Sequence, residues 1–261
     1  MATRGRVLIT GAAGNVGRGI LPYIEARYDQ LRLSDIIDFD GGPHQMVRCD
    51  LADFNAVREL VRDCSAILHF GGCPREAHWR EIADANIHGS YNLLEAARRE
   101  GISRVVIASS THSVGFESRE HLTPSTRNYR PDSIYGVSKL LSEGLASYYA
   151  DRFGMEIMAL RIGLYAPKPR ARRNLANWVH AEDLAQLCLI GLEHPDVGYS
   201  VVYGVSQTEC PIFDNSRAVE LGYRPLHTSA VFAEEVGHLR EETDGFVGGP
   251  FVIGPDQTTF E

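Results

Sequence analysis

Three side chains in the middle of the sequence have the types and the spacing of a proton-transfer site. Tyr135 and Lys139 are four residues apart, so a helix that opens at residues 131–133 places both on one face. A nearby cation lowers the pKa of a phenol, ordinarily near 10, by about 1 to 3 units, toward the range where it accepts a proton. Ser110, at the end of an apolar run, can hydrogen-bond the substrate oxygen whose proton the phenol accepts. The pattern predicts a catalytic tyrosine, although a Tyr-x-x-x-Lys match also arises by chance on surface helices.

The elements that position these residues alternate between short β-rich runs and helical patterns. The predicted strands span residues 6–10, 31–35, 45–49, 66–70, 104–108 and 156–161. One helix is predicted over about 79–99 and another over 132–153, whereas Pro22 should cost the first helix a hydrogen bond or kink it. Strands that alternate with helices at this interval form a parallel sheet with right-handed crossovers. We therefore predict an α/β fold of the Rossmann type with a doubly wound parallel sheet.

The turn after the first predicted strand has the pattern of a dinucleotide-binding loop. Gly11, Gly14 and Gly17 stand between a strand and a helix. In such a loop the first glycine permits the tight turn, the second lets backbone N–H groups approach a pyrophosphate, and the third allows helix and strand to pack closely. Asn15 and Val16 begin the helix, whose N-terminus carries partial positive charge. The turn therefore predicts nucleotide binding.

The end of the second predicted strand indicates which dinucleotide is bound. Asp35 closes this strand, and a carboxylate there accepts hydrogen bonds from the ribose hydroxyls of NAD but repels the 2′-phosphate of NADP. Further polar or glycine residues expected near the same edge are Asp50, Leu51, Gly71, Gly72 and Asn86. Turn chemistry alone would also account for the strand-end residues. We predict an NAD site, with a local polar role for Asn86 because Asn is a poor helix former, although an exposed Asn without a role fits nearly as well.

The chain is expected to divide after Gly163, where the pattern becomes irregular. A helix is predicted near 182–192 and a strand at 199–203. We predict that residues 1–163 form the dinucleotide-binding core. Residues 164–261 are predicted to form a small substrate lobe and C-terminal tail, packed with the core as one structural unit. The last twenty or so residues, which are rich in glycine and proline, are expected to be extended.

Composition and charge exclude several classes of function. The 261 residues carry a formal net charge of -8, which disfavours a general affinity for nucleic acid or an anionic membrane. No apolar run is long enough for a membrane span, and no apolar targeting segment precedes the first predicted strand. The five cysteines form no C-x-x-C pair, and the ten histidines show no metal-binding spacing. We therefore expect reduced thiols, a cytoplasmic location and no metal site.

An anionic substrate would need a local cationic pocket, and the sequence offers one concentrated source of positive charge. Arg170, Arg172 and Arg173 lie in a loop after the last predicted core strand. Arginine suits bidentate recognition of a carboxylate or a phosphate, although a solvated loop explains any one of the three equally well. His112, two residues after Ser110, is either a substrate ligand or a structural hydrogen-bond donor.

Together these motifs resemble those of the extended short-chain dehydrogenase/reductases over nearly the whole chain. The residues that carry the resemblance are Gly11, Gly14, Gly17, Asp35, Asp50, Leu51, Ser110, Tyr135, Lys139, Arg161, Ile162 and Gly163. Within this group the sequence is similar to the uronate dehydrogenases, in segments 69–72, 108–115, 161–163, 202–204, 213–215 and 248–252. The resemblance implies NAD-dependent oxidation of a hexuronate, a small anionic sugar, at its anomeric carbon to give an aldarolactone.

The resemblance also implies a role for each matching residue. Tyr135 would be the base, Lys139 would modulate its pKa and bind the ribose, and Ser110 would orient the sugar. The residues expected to contact the sugar are Ser110, Thr111, His112, Tyr135 and Arg173, the last at its carboxylate. The residues expected to contact NAD are Gly11, Gly14, Asn15, Val16, Gly17, Asp35, Asp50, Leu51, Gly71, Gly72, Asn86, Tyr135, Lys139 and Ile162. A homodimer or a higher homo-oligomer is expected on the same ground.

The sequence departs from this family at three positions of the expected sugar pocket. Thr111, Pro74 and Leu164 stand where the family commonly has Asn, Ser and Ser, so polar groups are lost or changed. An NAD-dependent dehydrogenase of a sugar or a sugar phosphate is therefore an alternative, which the arginine cluster also fits. A non-catalytic NAD-binding redox sensor is a second alternative, although the intact catalytic motif argues against it.

Overall fold

The computed structural model describes residues 5–125, 129–239 and 245–252. Within these ranges the strands are β1 (Arg6–Thr10), β2 (Leu31–Asp35), β3 (Gln45–Arg48), β4 (Cys64–His69), β5 (Arg104–Ser110), β6 (Thr123–Pro124), β7 (Glu156–Ile162), β8 (Leu164–Tyr165), β9 (Trp178–Val179), β10 (Tyr199–Gly204) and β11 (Phe213–Asp214). The helices are α1 (Asn15–Glu25), α2 (Phe54–Val61), α3 (Trp79–Ile82), α4 (Gly89–Arg99), α5 (Ile134–Phe153), α6 (Ala181–Glu193), α7 (Ser216–Glu220) and α8 (Ala233–Val236). A π-helical turn, Ala83–His88, joins α3 to α4.

Seven of these strands form one parallel sheet in the order β10-β7-β5-β4-β1-β2-β3. The chain winds from β1 to β2 and β3, then returns to place β4 on the other side of β1. The winding direction reverses between β1 and β4, so a crevice opens there at the carboxyl ends of the strands. This topology confirms the predicted Rossmann-type sheet. β10 pairs with β7, so the sheet includes a strand from beyond Gly163.

Both faces of the sheet are buried, because side chains alternate along each strand. In β1, Val7 and Ile9 pack with apolar residues of α1 and α6. Leu8, between them, joins a separate cluster with residues of α2, α4 and α5. Helices on both faces explain why the core strands are continuous apolar runs. Among the described residues, no helix combines the length and the apolar composition that a membrane span requires.

Several elements differ in detail from their predicted form. β3 ends at Arg48 rather than at residue 49, and β4 begins at Cys64 rather than at residue 66. The helix predicted over 79–99 contains the π-helical turn instead of being uniform, and Asn86 lies in this turn. A π-helical turn changes which backbone carbonyls are bonded, and this change is not visible in the spacing of apolar residues.

Pro22 does not end the first helix, because α1 continues through it to Glu25. Proline has no N–H to donate to the carbonyl four residues earlier, which belongs to Arg18. Pro22 and Arg18 are both exposed, so water can bond to the carbonyl that loses its partner. Water can therefore replace the hydrogen bond that Pro22 was predicted to remove.

The C-terminal part of the chain packs beside the carboxyl edge of the sheet. β8 pairs with β9, and β11 pairs with β6, which precedes α5. The described end of the chain folds back, since Phe246 forms an antiparallel bridge with Ser118 and Gly248 donates its N–H to the Gly115 carbonyl at 2.9 Å. This part of the tail is packed rather than extended as predicted. Residues 253–261 lie outside the described residues.

Candidate active site

The crevice between β1 and β4 has a volume of about 700 Å³ and gathers most of the predicted site residues. Those that line it are Gly11, Gly14, Asn15, Val16, Gly17, Asp35, Asp50, Leu51, Gly71, Gly72, Ser110, His112, Tyr135, Lys139 and Ile162. Asn86, Thr111 and Arg173, which are also described, lie outside this lining. Ser110 and Ile162 are paired at the ends of β5 and β7, so the sheet brings residues distant in sequence to one edge.

Close backbone contacts shape the glycine turn after β1. Gly11 has a φ of +68°, and a Cβ there would lie 2.6 Å from the amide nitrogen of Gly71. A Cβ on Gly17 would lie 2.4 Å from the Gly11 carbonyl oxygen. Gly14 gives α1 no side-chain cap, and no acidic residue stands in the first turn of this helix. The uncapped N-terminus of α1 therefore fits the pyrophosphate of NAD.

Asp35 ties the end of β2 to the glycine turn. Its Oδ2 accepts a hydrogen bond from the Ala13 N–H at 3.0 Å, and its Oδ1 accepts one from the Ile36 N–H at 2.8 Å. The carboxylate lines the crevice and keeps further lone pairs for ribose hydroxyls. Its position and charge fit NAD and oppose a 2′-phosphate.

The three predicted catalytic residues come together where β5 meets α5. Tyr135 and Lys139 are buried one turn apart near the start of α5, which Ser133 caps by accepting the Gly136 N–H at 3.0 Å. Lys139 Nζ lies 5.5 Å from the centroid of the Tyr135 ring. Ser110, the last residue of β5, lies close enough to the Tyr135 phenol to lower its pKa. The arrangement can move a proton between a substrate hydroxyl and the phenol.

The electrostatics of this group differ from the expectation based on sequence. Burial raises the pKa of Tyr135 to about 12, and the hydrogen bond with Ser110 offsets only part of this rise. Burial lowers the pKa of Lys139 to about 8. The predicted lowering of the tyrosine pKa by Lys139 is therefore wrong for the chain alone, because burial, which disfavours the charged form of each group, is the largest cause of both shifts. A tyrosinate needs further positive charge, which the nicotinamide ring of oxidised NAD supplies when bound.

Glu76 anchors the catalytic helix and was missed in the sequence. Its Oε1 accepts the N–H of Ile134 at 3.2 Å, and its Oε2 accepts the N–H of Tyr135 at 2.8 Å. A carboxylate at a helix N-terminus is also favoured by the helix dipole. Glu76 stands 59 positions before Tyr135 in an irregular loop, so no local spacing pointed to it.

Asn86 holds the loop after β4 rather than lining the crevice. Its Oδ1 accepts the Cys73 N–H at 2.7 Å, and its Nδ2 donates to the Cys73 carbonyl at 3.1 Å and to Ser138 Oγ at 2.8 Å. A Cβ on Gly72 would lie 2.5 Å from Asn86 Oδ1. The polar role of Asn86 is therefore to join the loop after β4 to α5, at the residue just before Lys139.

The predicted sugar ligands His112 and Arg173 both contact the described end of the chain. The His112 ring centroid lies 4.2 Å from that of Phe251, and its Nδ1 lies 2.8 Å from Asp132 Oδ2. The Arg173 guanidinium packs on Gly249, where a Cβ would come within 2.6 Å of the Arg173 Cζ. Gly249 and Phe251 belong to one turn, so both predicted ligands contact the same turn of the tail.

The other residues expected at the sugar pocket differ in their burial and in whether they line the crevice. Thr111 is buried in the turn after β5, outside the crevice lining, whereas Pro74 lines the crevice. Arg170 and Arg172 are exposed, and Arg173 is half-buried. Of the three clustered arginines, Arg173 is the least exposed, and it packs on the tail turn whose Phe251 contacts His112.

A group of potential metal ligands stands apart from this crevice. Among the described residues, His180, Glu182 and His227 bring ligand atoms within 4.8 Å of one another. These groups already bond to each other: the Glu182 N–H donates to His180 Nδ1, and His227 Nε2 lies 2.9 Å from Glu182 Oε2. The group lies at the N-terminus of α6, where the helix dipole disfavours a cation. The lack of a metal site stays a prediction.

The glycine turn, the strand-end aspartate and the Ser-Tyr-Lys group define a dinucleotide-binding protein of the short-chain dehydrogenase/reductase type. The sequence profile described as "NAD dependent epimerase/dehydratase family" matches residues 7–175, and the chain belongs to this family. The extended short-chain dehydrogenase/reductase resemblance is thereby confirmed. Within the family the similarity to particular relatives extends over nearly the whole chain.

The relatives include enzymes named for uronates and for a sugar phosphate. The chain is 42% identical over 259 residues to the uronate dehydrogenase of Pseudomonas syringae pv. tomato. This alignment covers 96% of this chain and 94% of that protein. A variant of Agrobacterium tumefaciens uronate dehydrogenase complexed with NAD superposes with a TM-score of 0.91 at 36% identity, over 96% of this chain and 97% of that one. An NAD-dependent glucose-6-phosphate dehydrogenase of Haloferax volcanii is 32% identical over 263 residues, 90% of this chain and 98% of that protein.

Proposed function

We propose that this chain is an NAD-dependent dehydrogenase that oxidises the anomeric carbon of a hexuronate to an aldarolactone. The observation that carries the proposal is the convergence of Ser110, Tyr135 and Lys139 in the crevice that also holds the glycine turn. The 42% identity to a uronate dehydrogenase supports the substrate class. Arg173 is assigned to the substrate carboxylate, because a guanidinium binds carboxylates through two parallel hydrogen bonds.

The chain's own residues would handle the proton of the reaction. Ser110 hydrogen-bonds the anomeric oxygen and fixes it against the phenol oxygen of Tyr135. Tyr135, as the tyrosinate, takes the proton of the anomeric hydroxyl, and the carbon–oxygen bond becomes the lactone carbonyl. The anomeric hydrogen leaves as a hydride, which NAD accepts when bound. Lys139, which is cationic below its pKa of about 8, stabilises the tyrosinate.

The proposal is tested by NADH absorbance with glucuronate, galacturonate and glucose 6-phosphate as substrates. We expect turnover of at least one uronate, and the Tyr135→Phe variant should lose about 100-fold or more in kcat because the proton acceptor is removed. Its Kd for NAD should stay within about twofold of the parent, since the ring and its packing remain. Tyr129→Phe, at an exposed tyrosine, is the matched control and should keep full activity. A fully active Tyr135→Phe variant would contradict the assigned chemistry.

The same substrate panel separates the alternatives. A sugar-phosphate dehydrogenase would turn over glucose 6-phosphate in preference to the uronates, and the exposed Arg170 and Arg172 would be its additional phosphate ligands. Their exposure, and the higher identity to the uronate enzyme, favour the uronate. A redox sensor would bind NAD and give no NADH with any sugar. The complete Ser110, Tyr135 and Lys139 group argues against it.

We also propose that the protein forms a homodimer through α4 and α5 and works in the cytoplasm. Leu141 and Tyr148 are seven residues apart on one face of α5, and both are exposed. Tyr91 on the neighbouring α4 is exposed as well, and apolar faces of this kind favour self-association. Light scattering should show a dimer that Tyr148→Lys dissociates. All five cysteines are free, which fits a reducing compartment.

A further inference from the structure

A buried carboxylate lies against Nδ1 of His112, a residue that lines the crevice. His112 Nδ1 lies 2.8 Å from Asp132 Oδ2, and the Asp132 side chain is fully buried while that of His112 is 23% exposed. The Asp132 N–H donates to the His112 carbonyl at 3.3 Å, so backbone and side chain both join the two residues. His112 lines the crevice, and Nε2 is the only polar ring atom that Asp132 leaves available.

The remaining partners of Asp132 make this contact rigid. Its Oδ1 accepts the hydroxyl of Ser133 at 2.9 Å, and Ser133 caps the helix that carries Tyr135. Among the described residues, the ion-pair partner that the structure gives Asp132 is His112. The carboxylate therefore has the Ser133 hydroxyl and His112 Nδ1 as the side-chain groups that compensate its burial.

Two glycines and the tail keep water from this carboxylate. A Cβ on Gly115 or on Gly248 would lie 1.8 Å from Asp132 Oδ2, so both backbones pack directly on it. The two segments are joined by the hydrogen bond from Gly248 to Gly115, and Phe251 covers the His112 ring. A carboxylate shielded in this way interacts more strongly with its partner than one in water.

The ring is also placed against the catalytic pair. The backbone N–H of His112 donates to Ser110 Oγ at 3.2 Å, and the His112 ring meets the Tyr135 ring edge-on with centroids 5.9 Å apart. Any group bound at Nε2 is therefore next to the oxygen that Ser110 and Tyr135 hold.

We propose that Asp132 is a positioning residue that keeps the His112 proton on Nδ1, so that Nε2 presents an acceptor to a sugar hydroxyl beside the reacting carbon. This inference rests on the proposed function for the identity of the sugar. The tautomer itself depends only on the Asp132–His112 contact. In the neutral ring a proton held at Nδ1 leaves a lone pair at Nε2. Without the carboxylate the ring can place the proton on either nitrogen, and Nε2 then becomes a donor in part of the molecules.

The first test reads the tautomer directly and needs no activity. The ¹⁵N shifts of His112 at pH 8, assigned by comparison with His112→Gln, should show a protonated Nδ1 and an unprotonated Nε2. Asp132→Ala should lose this pattern. A wild-type ring with its proton on Nε2, or on both nitrogens, overturns the proposal whether or not the protein oxidises uronates.

The second test is kinetic and uses whichever sugar the protein oxidises. Asp132→Ala should raise KM for the sugar about tenfold, the effect of one lost hydrogen bond, and leave Kd for NAD within about twofold. In the His112→Gln background the same change should leave KM unaltered, because Asp132 acts through His112. Asp183→Ala removes another buried carboxylate, one that does not line the crevice, and should lower stability without raising KM. An equal rise in KM in both backgrounds would show a merely structural role and overturn the proposal.

Discussion

The amide N–H of Tyr135 donates a hydrogen bond to Glu76 Oε2 at 2.8 Å. Glu76 belongs to the loop between β4 and α3, and the adjacent Cys73 and Pro74 of this loop line the crevice. One carboxylate therefore fixes both the first turn of the catalytic helix and the loop that faces the reacting groups. The backbone position of Tyr135 depends on a side chain that is distant in sequence.

Replacement of Glu76 by alanine should impair catalysis together with stability. The change leaves the N–H groups of Ile134 and Tyr135 without their acceptor, and we expect a loss of about 1–2 kcal/mol in the free energy of unfolding. We expect kcat to fall about tenfold or more, because the phenol oxygen shifts relative to Ser110. Asp53→Ala is the control, since Asp53 caps α2 through Asn55 and Ala56 and is not part of the crevice lining. The Asp53→Ala variant should lose similar stability with unchanged kcat. If kcat fell equally in both variants, the positional role of Glu76 would be contradicted.

Replacement of Asp35 by asparagine should relax the choice of cofactor. Asparagine can still accept the Ala13 N–H, so the glycine turn is kept, but the charge that opposes a 2′-phosphate is gone. We expect the ratio of kcat/KM for NAD to that for NADP to fall by about 10- to 100-fold, the effect of losing about 1–3 kcal/mol of like-charge repulsion. Asp38→Asn, at an exposed aspartate just past β2, should leave the ratio unchanged. If the ratio stays constant in Asp35→Asn as well, another group selects the cofactor.

The fold and the cofactor site could be predicted because their signals are local. The periods of strands and helices determine which nearby residues share a face. The glycine turn at Gly11 and the Tyr135–Lys139 pair could therefore be predicted from residue spacing. Glu76 and Asp132 could not be found in this way, because their partners are brought to them by tertiary packing. The pKa of Tyr135 was predicted with the wrong sign, since spacing shows that a cation is close but not that both groups leave water.

The sequence also gave no indication that the C-terminal tail packs on His112 and Arg173. The packing of Phe251 on His112, and of Gly249 on Arg173, depends on a tail whose glycine content indicated only an extended chain. Asn86 was predicted to have a polar role, but its bonds to Cys73 and Ser138 require the π-helical turn. Irregular backbone of this kind has no period to detect.

Removal of Glu143 should destabilise the sheet strongly, because it leaves a buried cation unpaired. Arg161 Nε and Nη2 each donate to the Glu143 carboxylate at 2.9 Å, and both side chains are nearly inaccessible to water. We expect Glu143→Ala to cost about 3–5 kcal/mol of unfolding free energy, measured by urea titration. Glu59→Ala breaks the exposed pair with Arg62 and should cost less than about 1 kcal/mol. A joint replacement of Arg161 by Met and Glu143 by Leu should cost less than Glu143→Ala alone, and the reverse order would contradict this account.

His69 should make the folded protein sensitive to acid. The His69 ring is held between two hydroxyls: its Nδ1 lies 2.8 Å from Thr10 Oγ1, and its Nε2 lies 3.4 Å from Ser90 Oγ. Burial, and then the charge of Lys139, lower the pKa of His69 from 6.5 to about 3. Because the folded state resists the proton that the unfolded chain accepts, this group's contribution to stability is complete above pH 6.5. It is lost as the pH falls toward 3.

Over that window His69 alone should reduce the free energy of unfolding by about 1.4 kcal/mol per pH unit. Urea titrations at pH 6, 5 and 4 should approach this slope in the parent protein and show a flatter one in His69→Gln, because glutamine does not bind a proton in this range. His88→Gln, at an exposed histidine on the π-helical turn, should keep the slope of the parent. An unchanged slope in His69→Gln would mean that the folded protein does not lower the pKa of His69, and would contradict this account.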